Sequence, residues 1–291
     1  YEGSWIKILM FQINWKLKSL IYKFLQFFRL KKTLYFIQKK ITKRSDINLN
    51  EILFYWDFHL RYIENNRSIK ILEFGAGKSL IQNIFLSYKT NLRVEQTLID
   101  ISKMLDLDLF NKANEKVSKI LGIDRKPFVR SNSDLKKNYN ISYSAPTTLN
   151  EILEKNLLFD ACISSTTLEH LSKNDLKETF SILKKIIKKE GIISASIDYS
   201  DHYSHTDKKI SDLNFLQYSD IAWQKYNNTF LFQNRLRHQD YRKIFKKMDY
   251  EIIEEIKGNY GKKPELVSEN FDTENKETFM LWGHFLLKFK K

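Results

Sequence analysis

Two glycines and a carboxylate stand close together in residues 71–79, ILEFGAGKS. Glu73 precedes Gly75 by two residues, and Gly77 completes a G-x-G turn directly after an apolar run. Glycines adopt turn conformations that strain other residues, and they let a ligand approach the main chain closely. A carboxylate beside such a turn can compensate a cationic group on the ligand. The stretch therefore indicates a nucleotide-like ligand, and three chemistries could account for it.

Two of these chemistries fit the residues poorly. A phosphate-binding loop follows the pattern G-x-x-x-x-G-K-[ST], and here Leu72 occupies the position of the first glycine. The nest of backbone amides around the phosphates would then lack its first turn. A dinucleotide fingerprint needs a third glycine or alanine, and Leu80 stands at that position. Phosphate-loop and dinucleotide enzymes are therefore disfavoured.

The third chemistry is suggested by residues 73–79, EFGAGKS. They resemble the first motif of class I S-adenosylmethionine-dependent methyltransferases, E/D-x-G-x-G-x-G, with Ser79 in the last small position. Residues 159–171, FDACISSTTLEHL, resemble the fourth-strand segment of that family. Residues 183–197, LKKIIKKEGIISASI, resemble its L-x-x-x-L-K-P-G-G helix and strand without the proline. The match covers roughly residues 68–290 and keeps the order of the family's motifs.

The resemblance implies S-adenosylmethionine as the co-substrate. Glu73 would compensate the ammonium of its methionine tail, while Gly75 and Gly77 would let the thioether chain lie along the backbone. Asp100, at the end of the second predicted strand, would bind the ribose, because its two oxygens match two hydroxyl donors. Ser164, at the end of the fourth strand, is expected to complete the cofactor site.

A histidine-rich loop follows the fifth predicted strand. Residues 198–207, DYSDHYSHTD, hold two of the six histidines of the chain and three aspartates. Ligands of open α/β sheets bind beyond the carboxyl ends of the strands, and methyl transfer to oxygen needs orientation and a proton acceptor. His202 is therefore predicted as the base, oriented by Asp201 or Asp198, with His205 as the second candidate. The alternative is a polar loop that only shapes the pocket.

A divalent metal is possible but not expected. Quinone-pathway O-methyltransferases and small-RNA 2′-O-methyltransferases hold a divalent ion with an E-x-x-E-H motif, which this chain resembles at Glu169 and His170. Thr166 replaces the first glutamate, although His202 could add a ligand. Losing one carboxylate weakens a site for a hard cation, so residues 168–171 are interpreted as a helix entry near the cofactor.

Further side chains could serve the methyl acceptor. Arg235 and Arg237 could grip an anionic or sugar acceptor, or they could be solvated residues at a helix start. Three aromatic residues upstream could wall the acceptor pocket or belong to the core: Trp223, Tyr226 and Phe230. The single cysteine, Cys162, excludes an internal disulfide framework and fits a reducing compartment, and it is expected in the core.

Strands and helices must alternate to position these groups. Predicted strands cover residues 68–74, 93–99, 139–143, 157–163, 192–197, 250–256 and 278–289, and predicted helices cover residues 80–88, 103–121, 172–189 and 235–247. Ser172 is expected to begin the third helix and Gly191 to end it. Residues 122–150 are polar and ambiguous. The pattern predicts a Rossmann-like α/β sheet, mostly parallel with a C-terminal antiparallel strand, covered by helices on both faces.

The N-terminal segment is predicted to be a basic amphipathic arm, residues 1–48, ahead of a methyltransferase domain, residues 49–291. Residues 1–45 carry eleven Lys and Arg against one acid, and thus +10 of the net charge of +14. Apolar residues recur there at helical spacing: Ile6, Leu9, Met10, Ile13, Leu17, Leu20, Ile21, Phe24, Phe27 and Phe28. Such a helix either lies on an anionic membrane or packs on the domain with its lysines solvated. Its uncharged runs are too short to span a bilayer.

These features together favour a cytoplasmic methyltransferase, held peripherally at the inner face of the membrane. Its acceptor is expected to be a small molecule or glycan, with transfer to an oxygen of a sugar or of a lipid-linked glycan precursor. The chain also resembles bacterial methyltransferases of surface-polysaccharide pathways. One alternative is a quinone or small-lipid O-methyltransferase. Another is a catalytically silent cofactor-binding protein that docks on membrane or nucleic acid through its arm, although charge alone is weak evidence for nucleic-acid binding.

Overall fold

The structure is a computed structural model, and it describes residues 13–30, 58–63, 69–91 and 93–290. One seven-stranded sheet forms its centre. The strands are β1 (Ile69–Phe74), β2 (Val94–Ile99), β3 (Ile141–Ser144), β4 (Phe159–Ser165), β5 (Ile187–Asp198), β6 (Tyr250–Lys257) and β7 (Trp282–Phe289). β1 reads IKILEF and is buried at every position except Lys70, as expected for a parallel strand with both faces covered.

The strands lie in the order β3-β2-β1-β4-β5-β7-β6. β1 to β5 run parallel to their neighbours, and β7 lies antiparallel between β5 and β6. The predicted mostly parallel sheet with C-terminal antiparallel pairing is confirmed. Parallel strands end at the same edge of a sheet, so the carboxyl-terminal residues Phe74, Ile99, Ser165 and Asp198 come together there.

Helices cover both faces of the sheet. They are α1 (Trp15–Phe27), α2 (Ile81–Lys89), α3 (Leu107–Leu121), α4 (Asn132–Tyr139), α5 (Leu149–Glu154), α6 (Lys173–Ile186), α7 (Asp220–Gln224) and α8 (His238–Lys247). Residues 58–63 are also helical. The predicted helices are confirmed, although some of their ends differ. Three helices were missed: α4, which lies in the ambiguous stretch, α5, which begins in it, and α7. Among the described helices, none has the length and apolar content to cross a bilayer.

The predicted end of the third helix is wrong. Ser172 does cap α6. Its side chain accepts a hydrogen bond from the Asp175 amide, and the Asp175 carboxylate accepts one from the Ser172 amide. However, α6 stops at Ile186, and Gly191 lies inside β5. A Cβ at Gly191 would come within 2.7 Å of the Asp160 carbonyl oxygen. Glycine is needed there because the neighbouring strand approaches closely, and not to end a helix.

Two apolar layers sandwich the sheet because successive strand residues point to opposite faces. Leu72 of β1 packs with α6 and α8 in one layer, and Ile71 packs with α2 and α3 in the other. Cys162 is fully buried in the first layer, so its predicted place in the core is confirmed. Burial raises the pKa of its thiol, which leaves it inert as a nucleophile.

α1 packs on the domain with a face that the sequence did not single out. Trp15, Ser19, Tyr22 and Leu25 are buried. The predicted apolar face is exposed wherever α1 carries it: Leu17, Leu20, Ile21, Phe24 and Phe27. The apolar positions predicted before residue 13 lie outside the described residues. α1 thus has two apolar faces, and only one contacts the domain.

Candidate functional site

A cleft of about 750 Å³ opens at the carboxyl edge of the parallel strands. Following the sheet order, its first half is formed at the ends of β1 and β2, and its second half at the ends of β4 and β5. The first half is lined by residues that include Gly75, Gly77, Gln82, Asp100 and Met104. The second half is lined by residues that include Thr166, Thr167, His170, Asp198, Ser200, His205 and Asp212, together with Trp282.

The glycine turn after β1 forms one wall of this cleft. Gly75 and Gly77 have φ angles of 73° and 79°, the left-handed region that favours glycine. A Cβ at Gly75 would come within 2.5 Å of the Thr167 side chain, whereas one at Gly77 would meet nothing within 4 Å. Gly75 is therefore needed both for its conformation and for close packing on the turn after β4. Gly77 leaves open space on the ligand side.

Glu73 lies behind the cleft and does not line it. Its side chain is 1% exposed and accepts hydrogen bonds from Gln82 and from Asn83, the latter at 2.6 Å. Burial raises the pKa of Glu73 to about 8, and the hydrogen bond from Asn83 only partly offsets this. Gln82 lines the cleft and thus joins Glu73 to it. The sequence could have indicated Gln82 and Asn83, because they lie on the first turn of the helix after the glycines, and that turn faces the end of β1.

Asp100 ends β2 and lines the cleft, as the sequence suggested from its position. The Tyr143 hydroxyl donates to its Oδ2 at 3.1 Å and accepts from the amides of Met104 and Leu105 at 3.1 and 3.3 Å. Burial raises the pKa of Asp100 to about 6. Tyr143 therefore orients the carboxylate, a role that sequence reasoning missed because the partner comes from β3.

The end of β4 presents different residues from the one predicted. Ser164 is 1% exposed, and its Oγ bonds to no described residue. Ser165, Thr166 and Thr167 line the cleft instead. Thr166 has a φ of 47°, and its amide donates to the Ser196 carbonyl at 2.9 Å. The strand therefore turns at Thr166 and offers its following side chains to the ligand.

The three side chains considered for a metal converge beside this turn. Glu169, His170 and His202 each offer a ligand atom, and these atoms lie within 4.8 Å of one another. Neither carboxyl oxygen of Glu169 has a partner among the described residues, and burial raises its pKa well above the usual value. Two imidazoles and one carboxylate would suit a borderline transition metal better than Mg²⁺. These residues could hold such an ion.

Asp198, at the end of β5, organises the histidine-rich loop. Its Oδ1 accepts hydrogen bonds from the Ser200 amide and hydroxyl at 2.8 and 2.7 Å. Its Oδ2 lies 3.3 Å from His202 Nε2 and 4.0 Å from His205 Nε2. The first contact has an ion-pair distance without hydrogen-bond alignment. Burial acts to raise the pKa of Asp198, but the nearby His202 ring and the hydrogen bonds from Ser200 lower it overall.

Only one of the two candidate bases, His205, lines the cleft. His205 lines it, and its Nε2 lies 3.1 Å from the Ser200 hydroxyl. His202 is not among the lining residues; its ring sits between those of His170 and His205, with centroids 5.0 and 5.1 Å away. Partial burial lowers the pKa of His205, so its ring is neutral near pH 7. The geometry therefore favours His205 over His202, the reverse of the order predicted.

Asp201 occupies a structural position. Its side chain is fully buried and accepts hydrogen bonds from the Tyr203 amide and the Asn214 side chain, both at 2.9 Å. Burial raises its pKa to about 6. Asp201 does not line the cleft, and the carboxylate beside the two histidines is Asp198.

The two arginines do not face an acceptor. Arg235 donates to the carbonyls of Phe215 and Tyr218 at 2.9 and 2.6 Å. Arg237 is 1% exposed and donates to the Tyr199 carbonyl at 2.7 Å. Both alternatives raised from the sequence are therefore wrong, since these guanidinium groups satisfy buried backbone carbonyls that would otherwise lack donors.

The three upstream aromatics also lie away from the cleft lining. Trp223 and Tyr226 have ring centroids 6.0 and 4.6 Å from that of Trp15, and Phe230 lies 6.1 Å from Tyr22. The acceptor-wall interpretation is wrong and the core interpretation holds. These rings form part of the surface on which α1 packs.

No family model matches the chain, and no curated protein does. Among solved structures it is similar to magnesium protoporphyrin IX methyltransferase from Synechocystis PCC 6803 with bound SAH, at 11% identity and a TM-score of 0.49, over 95% of this chain and 100% of that one. It is also similar to an S-adenosylmethionine-dependent methyltransferase from Clostridium acetobutylicum ATCC 824, at 14% identity and a TM-score of 0.40, over 90% and 99% of the two chains.

A third similarity is to the CurJ carbon methyltransferase, at 13% identity and a TM-score of 0.43. It covers 77% of this chain, which spans about half, 49%, of that one. These are similarities of fold. The sheet order and strand directions assign the chain to the Rossmann-like α/β class.

Proposed function

We propose that this protein is a class I S-adenosylmethionine-dependent methyltransferase. The observation that carries the proposal is that Gly75, Gly77 and Asp100, three residues of the family's pattern, line a single cleft at the carboxyl edge of the sheet. The missing first glycine at Leu72 argues against a phosphate ligand. The same edge is where ligands of open α/β sheets bind.

Each residue of the first half of the cleft has a role toward this co-substrate. When bound, S-adenosylmethionine supplies an activated methyl group to an aligned nucleophile. Asp100, held by Tyr143, accepts hydrogen bonds from the ribose hydroxyls. Gln82 meets the methionine tail, and Glu73 behind it supplies the negative charge once the ammonium favours its ionised form.

The acceptor is an oxygen of a sugar or of a lipid-linked glycan precursor. The second half of the cleft supports this, because Asp198, Asp212, Ser200 and His205 line it together with the ring of Trp282. Carboxylates and hydroxyls can accept several hydroxyl hydrogen bonds from a sugar. An indole ring offers a broad apolar surface with a single donor at its edge.

His205 accepts the proton of the acceptor hydroxyl. Its ring lines the cleft beside Asp198, and its lowered pKa keeps it unprotonated and ready to act as a base near neutral pH. Asp198 stabilises the imidazolium that forms. His202 acts as a positioning residue through Asp198, from which its Nε2 is 3.3 Å away.

The protein works in the cytoplasm, at the inner face of the membrane. The free thiol of Cys162, buried in the core, supports a reducing compartment. A lipid-linked acceptor would itself be found at a membrane surface.

The acceptor can be captured directly. Purified protein is incubated with cell extract and a methyl donor labelled at the methyl group, and the labelled product is identified by mass spectrometry. The proposal expects label on an oxygen of a saccharide or glycolipid. Label on a quinone would replace the acceptor class, and no label from any extract would argue for a silent cofactor-binding protein.

A further inference from the structure

α1 presents a second apolar surface away from the domain. At 3.6 residues per turn, its exposed apolar side chains lie opposite its buried ones. We call this set, together with Phe28 directly after the helix, the outer face of α1: Leu17, Leu20, Ile21, Phe24, Phe27 and Phe28. Each of these residues is at least 41% exposed, and Phe27 is 81% exposed. A patch of this kind on a protein surface marks an interaction site.

The aromatic side chains of the outer face form one continuous patch. The Phe24 and Phe28 rings lie 4.6 Å apart, and the Phe27 and Phe28 rings lie 5.1 Å apart, measured between centroids. The exposed rings are therefore contiguous and are not scattered over the helix. A continuous patch can bury its members against one partner.

Hydrogen bonds fix the orientation of α1 on the domain. The Trp15 amide donates to Asp207 Oδ2 at 3.0 Å, and Lys18 Nζ donates to Thr206 Oγ1 at 2.9 Å. Both acceptors belong to the loop that carries His205, which lines the cleft. The outer face is therefore a fixed part of the domain surface. It is attached to the loop beside the second half of the cleft, called the acceptor half below because the acceptor is proposed to bind there.

Charge selects the partner of this face. Residues 13–30 contain no Asp or Glu, and besides the buried Lys18 they carry Lys16, Lys23 and Arg29. The wider segment, residues 1–45, carries +10. An anionic lipid surface attracts such a basic segment electrostatically. A second copy of this chain would instead bring two equally basic segments together.

We propose that the outer face of α1 is the surface through which the protein lies on an anionic lipid bilayer. The apolar side chains enter the boundary between headgroups and acyl chains, and the basic side chains remain among the headgroups. Because α1 is attached to the loop of His205, this contact brings the acceptor half of the cleft to the bilayer. This inference rests on the proposed function and adds to it how the enzyme reaches a lipid-linked acceptor.

Co-sedimentation of the full chain with vesicles tests this surface. Vesicles contain phosphatidylcholine with or without about one third phosphatidylglycerol, an anionic fraction large enough to set a negative surface potential. The test variant is Leu20→Gln with Phe27→Gln, which removes two outer-face side chains without opening the core. The matched control is Leu266→Gln with Phe128→Gln, since these are also an exposed Leu and an exposed Phe.

The expected result is binding to anionic vesicles that is weakened about tenfold or more in the test variant and unchanged in the control. Binding to neutral vesicles should be weaker for every form. The proposal is overturned if the wild-type chain ignores anionic vesicles, or if both variants bind alike. It is also overturned if the wild type is a dimer in solution that the test variant converts to monomer, because the face would then join two copies.

Binding of S-adenosylhomocysteine to the same samples keeps the two proposals apart. Loss of vesicle binding with intact S-adenosylhomocysteine binding in the test variant supports the surface and shows that the variant is folded. Vesicle binding by a wild-type chain that takes up no S-adenosylhomocysteine would remove the methyltransferase proposal and leave the surface standing.

Discussion

At the scale of single residues, the cleft depends on contacts between pairs of polar side chains, some of which lie behind its lining. Glu73 is joined to the cleft by Gln82, Asp100 is oriented by Tyr143, and His205 stands beside Asp198. Buried polar groups of this kind are satisfied by specific neighbours. Such a partner can lie far along the chain, as Tyr143 does from Asp100. The sequence therefore indicated Glu73 and Asp100 but not Gln82 and Tyr143, which contact them.

Glu73→Gln tests the buried carboxyl. Its folded-state pKa is about 8 against an ordinary value of 4.5, so the stability it contributes is fully present below pH 4.5 and is lost as pH rises through 8. The variant removes the ionisation and should melt at about the same temperature as wild type at pH 5, but higher at pH 9. Thermal unfolding followed by circular dichroism at both values measures this.

The exposed Glu251→Gln is the matched control, and its melting temperature should follow that of wild type at both pH values. If Glu73→Gln follows wild type as well, the carboxyl does not ionise at a raised pKa in the folded protein.

His205→Ala tests the base. The variant should turn over about 100-fold or more slowly while its affinity for S-adenosylhomocysteine stays the same, because His205 lies in the acceptor half of the cleft. His202→Ala should have the smaller effect, since its ring is not among the lining residues. Single-turnover rates with the captured acceptor decide the order, and a larger loss in His202→Ala would restore the order predicted from the sequence.

At the scale of elements, the strongest predictions came from apolar runs bounded by glycine or polar residues. β1 was placed to within one residue because it is buried on both faces. β2 was placed equally well, and its residues alternate between buried and half-buried up to Leu98. α5 was missed although Thr148 and Glu151 form a capping box, a signal that its polar surroundings hid. The boundary of α6 with β5 was missed because exposed residues 188–190 suit a helix surface and an edge of a strand equally well.

The roles of buried charges could not be read locally. Arg235 and Arg237 satisfy carbonyls of elements far along the chain, so their burial depends on the completed fold. The surface on which α1 packs could not be predicted for the same reason, because Trp15 contacts Tyr226, which lies more than 200 residues further along the chain.

Alanine at the two turn glycines tests how β1 meets the turn after β4. Both positions have positive φ, so each variant carries a conformational cost of roughly 1–2 kcal/mol. Gly75→Ala also overlaps the Thr167 side chain and should lose about 1–3 kcal/mol more. Urea unfolding measures the difference, and adding Thr167→Gly to Gly75→Ala should recover it. Equal losses at Gly75 and Gly77 would contradict the packing described.

At the scale of the whole molecule, α1 packs beside the loop that carries His205, which lines the second half of the cleft. The proposed division at residue 48 remains a prediction, but α1 itself packs on residues 203–231 through Trp15 and Tyr22. Basic charge, an apolar outer face and a cleft lined by carboxylates and hydroxyls are thus assembled on one connected part of the protein. A membrane-bound, lipid-linked acceptor would use all three.

The central claim is the identity of the ligand at the glycine turn, and calorimetry on the full chain tests it most directly. Titration with S-adenosylhomocysteine should give saturable uptake at one site, weakened about tenfold or more by Asp100→Asn and unchanged by the exposed Asp124→Asn. Neither ATP nor NADH should bind. Absence of heat with S-adenosylhomocysteine, together with saturable uptake of ATP or NADH, would contradict the account.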